Sequence, residues 1–207
     1  MNKKIMFSII LLCCALGCAH RLDIYQLPPG SEDFLPSEIG VTVPAILKTV
    51  EVRVDGNEVV DPDPEFIRFV LQKIRRMHVF SEVNPAEEAG KTKMREKAVK
   101  LHLLVDVEVD THEALNLVKF TATCASLFLL SPVLKLTDDF DATILLKAVR
   151  YDGKDKIYRT RLRGTNHYPI FGVLQSRRDA RAEVMTKTLN SLMRQIMEDV
   201  NFYAMED

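Results

Sequence analysis

Residues 99–110 read VKLHLLVDVEVD, and this run constrains the fold more than any other stretch of the chain. Leu101, Leu103, Val105, Val107 and Val109 recur with a period of two, while His102, Asp106, Glu108 and Asp110 fall between them. A helix repeats every 3.6 residues and would scatter these side chains around its circumference, whereas a strand collects them on one face. The chain therefore builds a sheet with one side on a core and the other toward solvent, as antiparallel sheets commonly do.

The neighbouring segments supply what packs against it. Val50, Val52 and Val54 alternate over 49–54, a second strand. Asp63, Pro64 and Glu65 form a helix start, with Asp63 as N-cap, proline at the first helical position and an acid in the first turn. Phe66, Ile67, Val70, Leu71 and Ile74 then share one face, predicting a helix over about 64–77 and a short strand or turn over 79–83. Residues 141–151 read as another strand, Asp152-Gly153 as a turn, and 157–163 as the returning strand of a hairpin. Val184, Leu189, Leu192, Met193, Ile196 and Val200 mark a long final helix over about 176–200. The expected class is α+β: a two-layer sandwich with a mainly antiparallel sheet of four to five strands and two main helices on one face.

The N-terminus carries an address. Lys3 and Lys4 precede a greasy run over 5–12, too short for a permanent span, which needs about 20 residues. Residues 1–17 therefore read as a signal peptide, and Ala15-Leu16-Gly17-Cys18 resembles the lipobox of bacterial lipoproteins. That resemblance implies cleavage before Cys18, which is lipidated and becomes the first mature residue. Ala19 beside it implies the outer membrane, facing the periplasm. Cleavage removes two of 28 Lys and Arg and none of 29 Asp and Glu, so the net charge falls from −1 to −3. A polybasic, nucleic-acid-binding role is excluded on that balance. Only Cys18 and Cys124 remain, so no internal disulfide is expected once Cys18 is acylated. Pro28, Pro29, Gly30, Pro36 and Pro44 mark residues 18–45 as a tether or an arm laid over the domain, and 46–207 as a single α+β domain.

No constellation for catalysis emerges. The eight glycines build no phosphate loop. His112-Glu113 opens like a zinc-protease motif, but Asn116 stands where the second histidine is required. Asp138, Asp139 and Asp141 lack the glycine and alternating oxygens of a calcium loop. Cys124 reads as a small buried residue. The chain is expected to be no enzyme and to need neither metal nor cofactor.

Three features point to binding. Within residues 120–136, the run 126–134 is almost wholly apolar, including Leu127, Phe128, Leu129, Leu130 and Pro132. They read either as a buried strand and its corner, or as an apolar loop that docks on a partner or dips into lipid. Arg159, Arg161 and Arg163 alternate along one strand face, which is either a solvated outer face or a basic surface for phosphate head groups or an acidic partner. Arg177, Arg178 and Arg181 stand in the first turns of the last helix, against the helix dipole, which reads either as a basic interaction surface or as cations partnered by a nearby acidic strand.

Taken with the element order, the helix running into Met77, His78, Val79 and Phe80 and the hairpin at Asp152-Gly153 resemble the small envelope lipoproteins of the TolB N-terminal and curli-secretion type. The resemblance implies a non-catalytic accessory or assembly subunit of a cell-envelope complex. Its partners would be outer-membrane lipid through acylated Cys18, other envelope proteins, and further copies of itself in a homo-oligomer. The alternative is a lipid or lipopolysaccharide binding and transport lipoprotein, resembling the outer-membrane assembly lipoprotein that plugs the lipopolysaccharide translocon.

Overall fold

A computed structural model of the chain describes residues 21–36, 41, 43–88, 97–126, 130, 133–170 and 173–204. Among these the strands are β1 (Arg21–Gln26), β2 (Ala45–Val54), β3 (Asn57–Glu58), β4 (Val83–Pro85), β5 (Val99–Asp110), β6 (Leu136–Val149) and β7 (Asp155–Tyr168). The helices are α1 (Pro64–Arg76), α2 (Glu113–Ala125), α3 (Val173–Glu198) and the single turn α4 (Val200–Tyr203). Strands hydrogen-bond in the order β1-β7-β6-β5-β2-β3, with β4 on β2.

The α+β class stands, but the sheet is mixed and larger than the four or five mainly antiparallel strands expected from the sequence. β2 runs parallel to both β5 and β4, while β1 on β7 and β3 on β2 are antiparallel. The cause is connection length. Between Val54 and Val99 the chain passes through α1 and returns to the same end of the sheet, and such a crossover yields a parallel pair. Alternation of side chains is the same in both senses, so periodicity could not tell them apart.

The described residues form two compact units, one from the N-terminal stretch to Gln26 with Val109–Asp141 and Arg163–Val184, the other from the remainder. β6, β7 and α3 contribute residues to both. In the larger unit, Leu101, Leu103, Val105, Ile144 and Leu146 face Val70, Ile74 and Met77 of α1 and Leu189, Leu192, Met193 and Ile196 of α3 in one buried cluster. Each such side chain contributes roughly 1.5–3 kcal/mol on leaving water. The α1 start is built as the sequence predicts: the Glu65 N–H donates to Asp63 Oδ1 at 2.9 Å. Lys73 is buried and donates to Asn190 Oδ1 at 2.8 Å, tying α1 to α3. Burial holds the Lys73 ammonium below its usual pKa.

The smaller unit has little apolar interior. Leu136, Tyr168 and Ile170 form a small cluster, and β6 and β7 alternate in and out around it. Leu136, Asp138 and Phe140 are buried on one side, with Thr137, Asp139 and Asp141 on the other. Residues 21–26 are strand rather than free tether: Arg21 pairs with His167, Leu22 with Asn166 and Ile24 with Gly164. Gly164 permits that approach, because a Cβ there would lie 2.7 Å from the Asp23 carbonyl and 2.7 Å from the Phe140 ring.

We expect Gly164→Val to lift β1 from β7. Amide exchange over 22–26 should rise at least tenfold while protection in the α1–α3 cluster is unchanged. Unaltered protection of β1 would refute the close-approach argument.

Candidate interaction surface

The stretch that most resisted reading from sequence is α2. Its start follows β5 directly, with His112 in the left-handed region at φ 43° and the His112 N–H donating to Asp110 Oδ1 at 3.0 Å. From there His112, Asn116, Lys119 and Thr123 recur at helical spacing along one side. These polar residues form the side turned toward the sheet. Asn116 Nδ2 donates to the Thr137 carbonyl at 2.8 Å, and the Thr137 N–H donates to Asn116 Oδ1 at 2.9 Å. The amide thus meets both backbone groups of one β6 residue, as a neighbouring strand would. The same Nδ2 also donates to the Thr111 carbonyl. Lys119 Nζ reaches Thr137 Oγ1 at 2.9 Å, and Thr123, the one buried residue of α2, bonds back to the Lys119 carbonyl.

The consequence is an inverted helix. With the polar side on the protein, the apolar side chains point away from it: Leu115 is 51% exposed, Leu117 64%, Val118 66% and Phe120 46%. From Ala114 onward no exposed position of α2 carries a charge. Soluble proteins bury this kind of face. Leaving one Leu, Val or Phe in water forgoes roughly 1.5–3 kcal/mol.

Electrostatics hold α2 in place. His112 Nε2 lies 2.8 Å from Asp139 Oδ2. That hydrogen bond raises the His112 pKa above its ordinary 6.5. Asp139 is held below its ordinary 3.8, first by a hydrogen bond from Thr165 and then by the one to His112. Arg163 Nε meets Asp141 Oδ2 at 2.7 Å on the same side of the sheet.

On the opposite side of β6, Asp138 is buried. It accepts from Tyr168 Oη at 2.8 Å and from Arg177 Nε at 2.7 Å, with Arg177 also stacked 5.4 Å from the Tyr168 ring centre. Burial, reinforced by the carboxylate, pushes the Tyr168 hydroxyl up to about 12, so it stays a donor. The misplaced cation at the start of α3 is thereby explained: an acidic strand supplies its partner. Arg178 and Arg181 on the same turns are exposed.

The residues singled out from sequence therefore scatter. Leu127, Phe128, Leu129 and Pro132 lie outside the described residues, as does Cys18. Leu130 is exposed, with its N–H donating to Ser126 Oγ at 3.3 Å just past α2. Residues 120–125 are helix with only Thr123 buried, and β6 begins at Leu136, so for the described residues of 120–136 the reading as a buried strand and its corner is corrected. Cys124 is half-buried rather than fully so. Arg159 is exposed and Arg161 half-buried on the outer face of β7. Leu115, Leu117 and Val118 were missed because they precede the apolar run. The polar stripe at 112, 116, 119 and 123 was the signal that could have found them. Among the described residues no group of three His, Cys, Asp or Glu side chains is placed to hold a metal, and no helix is long and apolar enough to cross a membrane.

No protein-family model matches the chain, and no curated protein does. Some solved structures are partly similar. The rare lipoprotein B from Shewanella oneidensis is 11% identical, with 74% of this chain and 96% of that chain covered and a TM-score of 0.40. A neuraminyllactose-binding hemagglutinin homolog from Helicobacter pylori is 12% identical, covering 84% and 97%, at 0.44. The PelC dodecamer from Paraburkholderia phytofirmans is 10% identical, covering 84% and 99%, at 0.29. Likenesses this distant carry no argument about what the chain does.

Two outcomes follow from the charge pairs. The His112–Asp139 contribution to stability is fully present between the unfolded values of about 3.8 and 6.5. It declines as pH rises through the raised His112 pKa, and again as pH falls through the lowered Asp139 pKa. NMR titration should find the His112 midpoint above 6.5 and Asp139→Asn should return it toward that value; no change on substitution would show the pair to be unimportant. Asp138→Ala, which strands Arg177 and Tyr168, should cost on the order of 3 kcal/mol in chemical denaturation. A loss under 1 kcal/mol would mean the ion pair is solvated in practice.

Proposed function

We propose that this chain is a lipoprotein acylated at Cys18, anchored in the outer membrane and facing the periplasm, which serves as a non-catalytic accessory or assembly subunit of a cell-envelope complex. The observation that carries the reading is the course of the chain after Cys18. β1 starts only three residues later and is hydrogen-bonded to β7, so an acyl anchor there would act on the folded unit itself rather than on a long leash. Over three residues the chain extends at most about 10 Å.

The polar groups that first invited a chemical reading support the non-catalytic part. Asp138, Asp139 and Asp141 are each engaged by Arg177 and Tyr168, by His112 and Thr165, or by Arg163. Such pairs position helices on a sheet. The resemblance to TolB N-terminal and curli-secretion domains belongs to this proposal through element order alone.

Cell fractionation tests it. The natural protein should float with membranes and carry acyl groups on the peptide that begins at Cys18, and Cys18→Ala should abolish both. An unmodified Cys18 in the mature protein would reject the anchor. In-cell crosslinking from Arg159 and Arg178 should then capture other envelope proteins in fixed ratio. Stoichiometric bound amphiphile without a protein partner would favour lipid or lipopolysaccharide carriage instead.

A further inference from the structure

We propose that α2 is an interfacial membrane helix, with Leu115, Leu117, Val118 and Phe120 buried in the leaflet that holds the acyl chains of Cys18. The inference rests on the anchoring read above and adds a second, non-covalent contact with the same bilayer.

Three observations choose lipid as the occupant. The first is the inversion itself. Interfacial helices ordinarily keep a charged face toward water and sink the apolar face about 5–10 Å into the head-group boundary. Here the polar side is already satisfied by β6 through His112, Asn116 and Lys119, leaving an outward surface without charge from Ala114 to Ala125. The second is composition. A protein interface of this kind would carry a polar rim and its own hydrogen-bonding groups, whereas the exposed positions of α2 beyond Glu113 are Ala, Leu, Val, Phe and a single Thr. Thr121 spends its hydroxyl on the Leu117 carbonyl at 2.9 Å.

The third is the path back to Cys18. Arg21, where β1 begins, is paired with His167. His167 Nδ1 is 3.5 Å from Thr137 Oγ1, the residue on which Asn116 and Lys119 rest. Arg21, three residues after Cys18, therefore lies two strands from Thr137, on which the middle of α2 rests, within the same unit. Three residues allow a reach of about 10 Å from Arg21, and α2 is about 20 Å long at 1.5 Å per residue. That reach is short enough for an acyl chain at Cys18 and the apolar face of α2 to enter the same leaflet.

The chain contains no tryptophan, so one introduced indole reports alone. Acylated mature protein, beginning at Cys18 and carrying Val118→Trp, should be reconstituted into phosphatidylethanolamine and phosphatidylglycerol vesicles with brominated acyl chains. A second variant, Tyr151→Trp, places the probe on the exposed β6–β7 turn. The expected result is a blue-shifted emission and at least twofold stronger bromine quenching for Val118→Trp than for Tyr151→Trp. Equal, weak quenching at both positions overturns the proposal. So does a blue shift that appears only when envelope proteins are added, or that grows with protein concentration without vesicles, since these assign the face to a partner or a second copy. Mass spectrometry of Cys18 in the same samples separates the two readings. Acylated, vesicle-bound protein with a wet indole at position 118 leaves the anchor standing and removes the α2 contact. Unacylated protein whose indole is still quenched does the reverse.

Discussion

The side-chain amide of Asn116 against the backbone of Thr137 decides how the smaller unit is arranged. A strand end such as Thr137 needs partners for its N–H and C=O, and an unpaired buried backbone group costs about as much as a lost hydrogen bond. Asn116 provides both from a helix rather than from a strand. Once it does so, the rotation of α2 about its axis is fixed, and the positions three and four residues away on the same side are committed to the sheet. His112 and Lys119 follow as further polar anchors. Leu115, Leu117, Val118 and Phe120 are left facing outward although they are apolar.

The two units thus use different physics. In the larger one, β5 and the middle of β6 press aliphatic side chains against α1 and α3, and hydrophobic burial dominates. In the smaller one the apolar interior is slight, and charge pairs on both sides of β6 do most of the positioning. Alternation along a single strand makes this possible. Asp138 reaches Arg177 and Tyr168 in one direction, while Asp139 reaches His112 and Thr165 in the other. Three neighbouring carboxylates would repel one another in isolation; divided between opposite faces, each finds a donor.

This division explains what the sequence disclosed. β5 was legible because Leu101, Leu103 and Val105 are all turned to the core. α1 was legible through Asp63 and Pro64, the hairpin through Asp152-Gly153, and most of α3 through its buried stripe. α2 was not, since reading a stripe assumes that apolar residues point inward, and here they point out. The parallel pairing of β2 with β5 was hidden for another reason: side-chain alternation carries no information on strand direction. β1 has Leu22, Ile24 and Tyr25 as its apolar signals, too short a pattern to read, and its place on β7 depends on a glycine 140 residues beyond Ile24, at Gly164. Arg177 stood out from the start as a cation in the wrong place, and its carboxylate is where a nearby acidic strand would put it.

An apolar face that folds facing outward also has a history before it reaches its destination. The contacts that orient α2 close a short loop, from Asn116 to Thr137, so they can form early and do not wait for the distant ends of the chain to meet. The greasy surface is therefore on display as soon as this part of the protein is structured. In water, Leu117 and Val118 are a standing invitation to aggregate. Until that face is covered, by whatever covers it, the folded chain is at its most easily lost.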